Sequence, residues 1–136
     1  MKIQSCQPAV ALLAISGLLV TIISGVSMAQ PWGDNYAYQD VSGYLGLFLF
    51  LAWAVSPYAY LYWMSGRLNA SGPVKLARLI VTAIVCVGGI YIVVDSAFIH
   101  LDAQGGLIFI FLPIYQWILV GLFEFTGYIV ARRSAT

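Results

Sequence analysis

The stretch Gly105–Arg133, GGLIFIFLPIYQWILVGLFEFTGYIVARR, is apolar along most of its length and ends in two arginines. A run of about 20 mainly apolar residues is long enough to cross a lipid bilayer as a helix. Three similar segments precede it in the chain. The sequence therefore predicts an all-α, polytopic integral membrane protein, a bundle of four transmembrane helices with short loops, over residues 8–29, 42–64, 74–98 and 105–131.

The composition supports this prediction. Of the 136 residues, 62% are hydrophobic and only 8% are charged, whereas about a quarter of the residues of a soluble domain are charged. Four crossings of about 20 residues use most of the chain. We therefore expect residues 1–136 to form a single membrane domain, with no separate soluble catalytic domain.

The charged residues predict the orientation of the helices. The six basic residues fall at the two termini and in the loop between the second and third segments: Lys2, Arg67, Lys75, Arg78, Arg132 and Arg133. The two other loops contain four acids: Asp34, Asp40, Asp95 and Asp102. Because cytoplasmic loops carry an excess of Lys and Arg, both termini are predicted to be cytoplasmic. We expect a multi-pass protein of a bacterial-type inner (plasma) membrane.

The first apolar segment allows two interpretations. Ser27-Met28-Ala29 resembles a signal-peptidase site, and cleavage there would remove residues 1–29 and leave three helices. The apolar run of about 20 residues is longer than a signal peptide requires and favours a retained helix. Small residues at helical spacing also form a ridge against which another helix can pack, at Ala14, Gly17, Thr21 and Gly25.

Glu124 is the most unusual residue within the predicted spans. It lies eight residues before Arg132, which places it about 12 Å inside the cytoplasmic boundary. A carboxylate at that depth needs a proton, a cation or hydrogen-bond donors. By depth, Arg78 is the candidate cation, and Tyr58 and Tyr62 are the candidate donors. The sequence leaves open whether Glu124 holds helices together or couples transport to a proton or cation.

Two prolines interrupt the predicted helices. Pro57 and Pro113 lie inside the second and fourth apolar segments. A proline inside a helix removes one backbone hydrogen bond and bends the helix. In a membrane, the carbonyl group that loses its partner has to be satisfied by a neighbouring group or by water. We therefore predict helix kinks at both prolines.

The predicted second external loop contains Asp95, His100 and Asp102. These residue types can ligate divalent metals or transfer protons. Their spacing matches no metal-binding motif, so a solvated hairpin loop is the favoured interpretation. We expect no metal site in this protein.

The sequence also disfavours several functional classes. A single histidine cannot supply bis-histidine haem ligation, and Cys6 and Cys86 are too far apart for dithiol chemistry. Short basic stretches do not form a nucleic-acid surface. We therefore expect no enzyme, no cofactor and no nucleic-acid partner.

Two functional hypotheses remain. The first is a small non-enzymatic subunit or accessory protein of a membrane complex, in contact with the lipid bilayer and with copies of itself or other membrane subunits. The alternative is a small proton- or cation-coupled transporter that uses Glu124.

Overall fold

The computed structural model describes residues 6–31, 40–65, 73–99 and 105–133; within these ranges, the side chains of residues 8–31, 40–65, 76, 77, 79–99, 106–126 and 129 are described. The helices are α1 (Cys6–Ala29), α2 (Val41–Ser65), α3 (Pro73–Val94) and α4 (Gly105–Arg133). A π-helical segment, Asp95–Ile99, continues α3. The described residues contain no strand. The predicted all-α class with four membrane-length helices is confirmed.

With the π-helical segment counted with α3, the helix bounds lie within two residues of the predicted ones; α3 itself ends at Val94, four residues before the predicted end. All four helices contain a stretch long and apolar enough to cross a membrane, of 21 to 25 residues. At about 1.5 Å per residue, such a stretch spans the roughly 30 Å hydrocarbon core of a bilayer. A helix satisfies its own backbone hydrogen bonds, which explains why the β-branched run of α3 is also helical in this setting.

The four helices form a ring in the order α1, α2, α4, α3. Helix α1 packs mainly against α2 and α3, and α4 packs against the same two helices from the opposite side. The beginning of α1 and the end of α4 lie at the same end of the bundle, because Val10, Ser65, Thr82 and Glu124 line one small cavity. We call this the Glu124 end. At the opposite end, the Gly106 end, α1 finishes and α4 begins.

The outer surface of the bundle is apolar, and its interior contains polar side chains. Large apolar residues such as Leu12, Phe48 and Leu122 are 60 to 67% exposed. The buried polar side chains, by contrast, come from all four helices: Thr21, Ser24, Ser65, Thr82 and Gln116. Apolar residues outside and polar residues inside suit a protein surrounded by lipid. Together with the four spans, this distribution identifies a multi-pass membrane protein.

The hydroxyl groups on the outer surface are satisfied within their own helices. Ser16 donates a hydrogen bond to the carbonyl oxygen of Leu12, and Thr126 donates one to that of Leu122, each at 2.8 Å. A hydroxyl facing lipid has no water to bond, so this local bond removes the cost of leaving it unpaired.

The buried apolar residues form two clusters at different depths. One surrounds Tyr58 and contains Ala14, Leu61, Val85, Cys86 and Val120. The other surrounds Phe109, whose ring centroid lies 5.9 Å from that of Phe50, and is nearer the Gly106 end. The polar side chains at the middle of the bundle lie beside the first cluster.

Candidate functional site

Tyr58 of α2 lies at the centre of the bundle and is 1% exposed. Its ring passes between two glycines, Gly17 of α1 and Gly89 of α3. A Cβ atom added at Gly17 would overlap the ring, and one added at Gly89 would overlap the hydroxyl group of Tyr58. The large side chain fits between α1 and α3 only because both positions lack a side chain.

Gln116 of α4 connects Tyr58 to α3. Its Nε2 group donates hydrogen bonds to the Tyr58 hydroxyl at 2.9 Å and to the carbonyl oxygen of Val85 at 3.2 Å. Gln116 lies at the middle of the span Gly106–Thr126 and is 3% exposed. These two bonds join α2, α3 and α4 at one point near the middle of the membrane span, where unpaired polar groups are costly.

Helix α1 contributes two hydroxyl groups to the same region. Thr21 lies next to the Tyr58 hydroxyl, and Ser24 follows it by about one helical turn. Both are almost fully buried. We call Thr21, Ser24, Tyr58 and Gln116 the polar centre. It is uncharged, and it contains groups from three of the four helices.

A second set of hydrogen bonds joins α2 to α4 around the two prolines. Pro57 cannot donate to the carbonyl oxygen of Trp53, four residues earlier. The Ser56 hydroxyl donates to that oxygen at 2.8 Å, and the indole nitrogen of Trp117 donates to the Ser56 hydroxyl at 3.0 Å. The carbonyl group that Pro57 leaves without an amide donor therefore has a partner, and that partner is held by α4.

Trp53 of α2 makes the reciprocal hydrogen bond, from α2 to α4. The Trp53 indole nitrogen donates to the carbonyl oxygen of Ile110 at 3.2 Å, in the turn that precedes Pro113. Both prolines lie inside their helices and are buried. The kinks predicted at Pro57 and Pro113 stay predictions.

Replacing Ser56 by alanine is expected to destabilise the α2–α4 contact. The change removes the donor to the Trp53 carbonyl and the acceptor of the Trp117 indole group. Hydrogen bonds between transmembrane helices contribute about 0.6 kcal/mol on average and up to about 1.7 kcal/mol. Thermal unfolding in detergent should show a lower midpoint for Ser56→Ala and an unchanged one for Ser16→Ala, whose hydroxyl bonds only its own helix. Equal midpoints would contradict this role.

Glu124 lines a cavity of about 20 Å³ at the Glu124 end, together with Val10, Ser65 and Thr82. A space of this size holds about one water molecule. Glu124 is partly buried and faces groups from the three other helices. Two of these groups, Ser65 and Thr82, carry hydroxyls that the sequence interpretation did not associate with the acid.

The tyrosines predicted as partners of Glu124 lie elsewhere in the bundle. Tyr58 bonds Gln116, which precedes Glu124 by eight residues, about 12 Å along α4. Tyr62 is 52% exposed on the outer surface. Tyr58 does not share a level with Glu124, because it reaches the middle of the bundle, whereas Tyr62 lies near that level but on the outer surface. The side chain of Arg78 lies outside the described residues.

The predicted ridge on α1 faces the interior. Ala14, Gly17, Thr21 and Gly25 are all buried. Gly17 meets Tyr58, and a Cβ at Gly25 would come within 2.6 Å of Leu51 and 3.6 Å of Phe109. The small residues let α1 approach α2 and the start of α4 closely.

The predicted external cluster is only partly described. Asp95 begins the π-helical segment, whereas His100 and Asp102 lie outside the described residues. Across the parts of the chain that are described, no group of three His, Cys, Asp or Glu residues is placed to hold a metal ion.

A larger cavity of about 440 Å³ opens at the Gly106 end between α1, α2 and α4. Its lining is apolar and rich in glycine, and includes Gly25, Met28, Leu47, Phe50, Gly106 and Phe109. The described residues that line this cavity are all uncharged, which favours hydrocarbon over ions or sugars as its contents.

The sequence interpretation missed Gln116, Ser24 and the Ser56–Trp117 bond. A glutamine near the middle of an apolar span is a detectable signal, because buried amides in membrane helices usually bond a neighbouring helix. Its partner was not detectable, because Tyr58 is one of several tyrosines in the second half of α2.

Comparison with protein-family models, with curated proteins and with solved structures finds no match to this chain.

Proposed function

We propose that this protein is a small non-enzymatic subunit or accessory protein of a membrane complex. The observation that carries the proposal is a set of hydrogen bonds made by polar side chains inside the bundle that join its own helices. Gln116 bonds Tyr58 and the Val85 carbonyl, and Trp117 bonds Ser56. Groups used in this way hold a scaffold together.

The outer surface offers places for another membrane helix. At Gly121 of α4 and Gly46 of α2, an added Cβ would meet no other atom within 4 Å. Around Gly121, Ile118, Leu122 and Phe125 are 52 to 63% exposed. A glycine between larger apolar residues lets a neighbouring helix approach closely, which is how many transmembrane helices associate. The partner is a second copy of this chain or another membrane subunit.

The proposed location is a bacterial-type inner membrane. The distribution of basic residues supports a cytoplasmic position for the Glu124 end, and with it a cytoplasmic position for both termini. Cysteine labelling from either side of right-side-out vesicles tests this orientation. Labelling of a cysteine at position 136 from the outside would contradict it.

Native mass spectrometry of the protein, released gently from its own membranes, tests the proposed function. We expect a stoichiometric second protein, whereas a homo-oligomer would favour the transporter candidate described below. The matched variants Gly121→Leu and Gly88→Leu both add a side chain where a Cβ meets nothing. Loss of the partner only in Gly121→Leu would place the interface on α4. Recovery of the unaltered protein as a lone monomer would contradict the proposal.

A proton- or cation-coupled transporter is the second candidate, and the placement of Glu124 favours it. Glu124 lines a water-sized cavity with Ser65 and Thr82 at one end of the bundle. A carboxyl group with hydroxyl neighbours and room for water can bind and release a proton. The polar centre lies about 12 Å further into the membrane.

Glu124→Gln separates the two roles of this acid. If Glu124 couples transport, the variant keeps its thermal stability in detergent and loses proton-driven uptake in proteoliposomes. If Glu124 only holds helices together, the variant loses stability. Thr126→Val, on the outer surface of the same helix, is the control for a change at this depth. Unchanged uptake in Glu124→Gln would eliminate the transporter candidate.

A further inference from the structure

Three buried oxygen atoms of the polar centre make no hydrogen bond of ordinary length and angle among the described residues, although Thr21 lies beside the Tyr58 hydroxyl. They are Thr21 Oγ1, Ser24 Oγ and Gln116 Oε1, on residues that are 2%, 1% and 3% exposed. A buried polar atom without a partner is costly, and inside a membrane no bulk water is present to compensate. Buried polar atoms of this kind usually bond ordered water where the protein supplies no partner.

The hydroxyl groups of Thr21 and Ser24 differ from four other hydroxyl groups of the bundle. Ser16, Ser56, Ser65 and Thr126 each donate to a carbonyl oxygen of their own helix, at 2.6 to 2.8 Å. Helix α1 offers Thr21 and Ser24 similar carbonyl oxygens, but neither hydroxyl bonds one. This local bond is the usual way to satisfy a hydroxyl within a helix. Thr21 and Ser24 are therefore available to bond a group from outside α1.

The orientation of the Gln116 amide leaves its oxygen without a partner among the described residues. Its nitrogen has to face Val85, because the Val85 carbonyl oxygen can only accept a hydrogen bond. The same nitrogen holds the Tyr58 hydroxyl, beside which Thr21 lies. The amide oxygen and the Thr21 hydroxyl are thus adjacent to the same tyrosine, and Ser24 is about 4.5 Å further along α1.

The chemistry of these atoms selects the occupant. The Gln116 oxygen accepts only, so the occupant has to donate a hydrogen bond, and the two hydroxyls can each donate or accept. The polar centre carries no charge, so a cation there would be uncompensated.

We propose that a single water molecule is bound between α1 and α4, donating to Gln116 Oε1 and bonding the hydroxyls of Thr21 and Ser24. Three protein partners are typical of a buried water. Helices α1 and α4 lie diagonally across the ring and touch each other little directly. The water therefore links α1 to Gln116, and it gives the bundle a hydrated site near the middle of the membrane.

The sign of the stability change in Thr21→Val tests this proposal. Valine has nearly the same shape as threonine and lacks the hydroxyl. If Thr21 Oγ1 is unpaired, its removal raises the midpoint of thermal unfolding in detergent or leaves it unchanged. If it bonds water, the water loses a partner and the midpoint falls by several degrees, and it falls by as much in a Tyr58→Phe background, which removes the neighbouring hydroxyl. Thr126→Val is the matched control, because its hydroxyl bonds only its own helix.

A double-mutant cycle with Ser24→Ala and Gln116→Leu provides the second test. Since neither side chain bonds the other directly, only a bridge predicts non-additive changes in unfolding midpoint. Additive changes would overturn the proposal. If Gln116→Leu does not fold, Gln116→Glu replaces it in the cycle. A high-resolution structure in nanodiscs should then show density within hydrogen-bond distance of all three oxygens, and an empty site would overturn the proposal.

Exchange of sodium for choline chloride separates water from a cation. A water site predicts the same unfolding midpoint in both salts for the unaltered protein. A midpoint that rises with sodium concentration, and does so less in Thr21→Val, would replace the water by a sodium ion and overturn the proposal.

Discussion

Replacing Gly89 by alanine is expected to lower the free energy of unfolding by about 1–3 kcal/mol, the usual cost of adding a group to a packed core. The new methyl group would overlap the Tyr58 hydroxyl and the Nε2 atom of Gln116. Neither side chain has room to move, since both are at most 3% exposed. Their shared hydrogen bond would lengthen or break.

Gly88 provides the control for this prediction. It occupies the adjacent position in α3, but a Cβ added there meets no atom within 4 Å. Since alanine is favoured over glycine in a helix by about 0.5–1 kcal/mol, Gly88→Ala should leave stability unchanged or raise it. Denaturation in mixed micelles, followed by tryptophan fluorescence, measures both variants. A loss of equal size in both would contradict a specific contact between Gly89 and Tyr58.

A chain that begins at residue 30 is expected to lose most of its stability. Helix α1 covers Tyr58 through Gly17 and contributes Ala14 to the cluster around it. Each fully buried large side chain contributes about 1.5–3 kcal/mol in water. That figure shrinks in lipid, where close packing and hydrogen bonds supply the stability of a bundle. Without α1, Tyr58 would face lipid on one side.

Accumulation in the membrane and the unfolding midpoint in detergent measure this loss. Co-expression of residues 1–29 as a separate helix should restore both, because the small-residue ridge of α1 fits the remaining helices. The mass of the mature protein provides an independent control. We expect this mass to include residues 1–29. A mature mass that lacks them, in a stable protein, would replace the four-helix bundle by one of three helices.

The fold was predictable from the sequence because the bilayer restricts what a long apolar run can form. A segment that crosses lipid has to satisfy its backbone internally, so length and hydropathy located the four spans within two residues at each end, counting the π-helical segment with α3. The ridge on α1 was visible for a similar reason, since small residues at helical spacing mark a surface for close packing.

The polar centre was not predictable, because it depends on how the helices are rotated and placed next to each other. The sequence indicated Glu124 as the candidate residue because it is charged. The described hydrogen bonds between three helices are instead made by the uncharged Gln116. The sequence assigns Tyr58 and Tyr62 the same residue type, yet one is buried and the other is exposed. Hydropathy does not distinguish the two, because both lie in a segment that is apolar all round.

A double-mutant cycle between Tyr58→Phe and Gln116→Leu tests most directly the claim that the helices join at the polar centre. Each single change leaves a buried group without its partner, whereas the double variant removes both groups. The account predicts that the double variant is more stable than the sum of the single changes implies, by about 0.5–2 kcal/mol. Additivity within about 0.3 kcal/mol would show that the two side chains do not interact and would contradict the account.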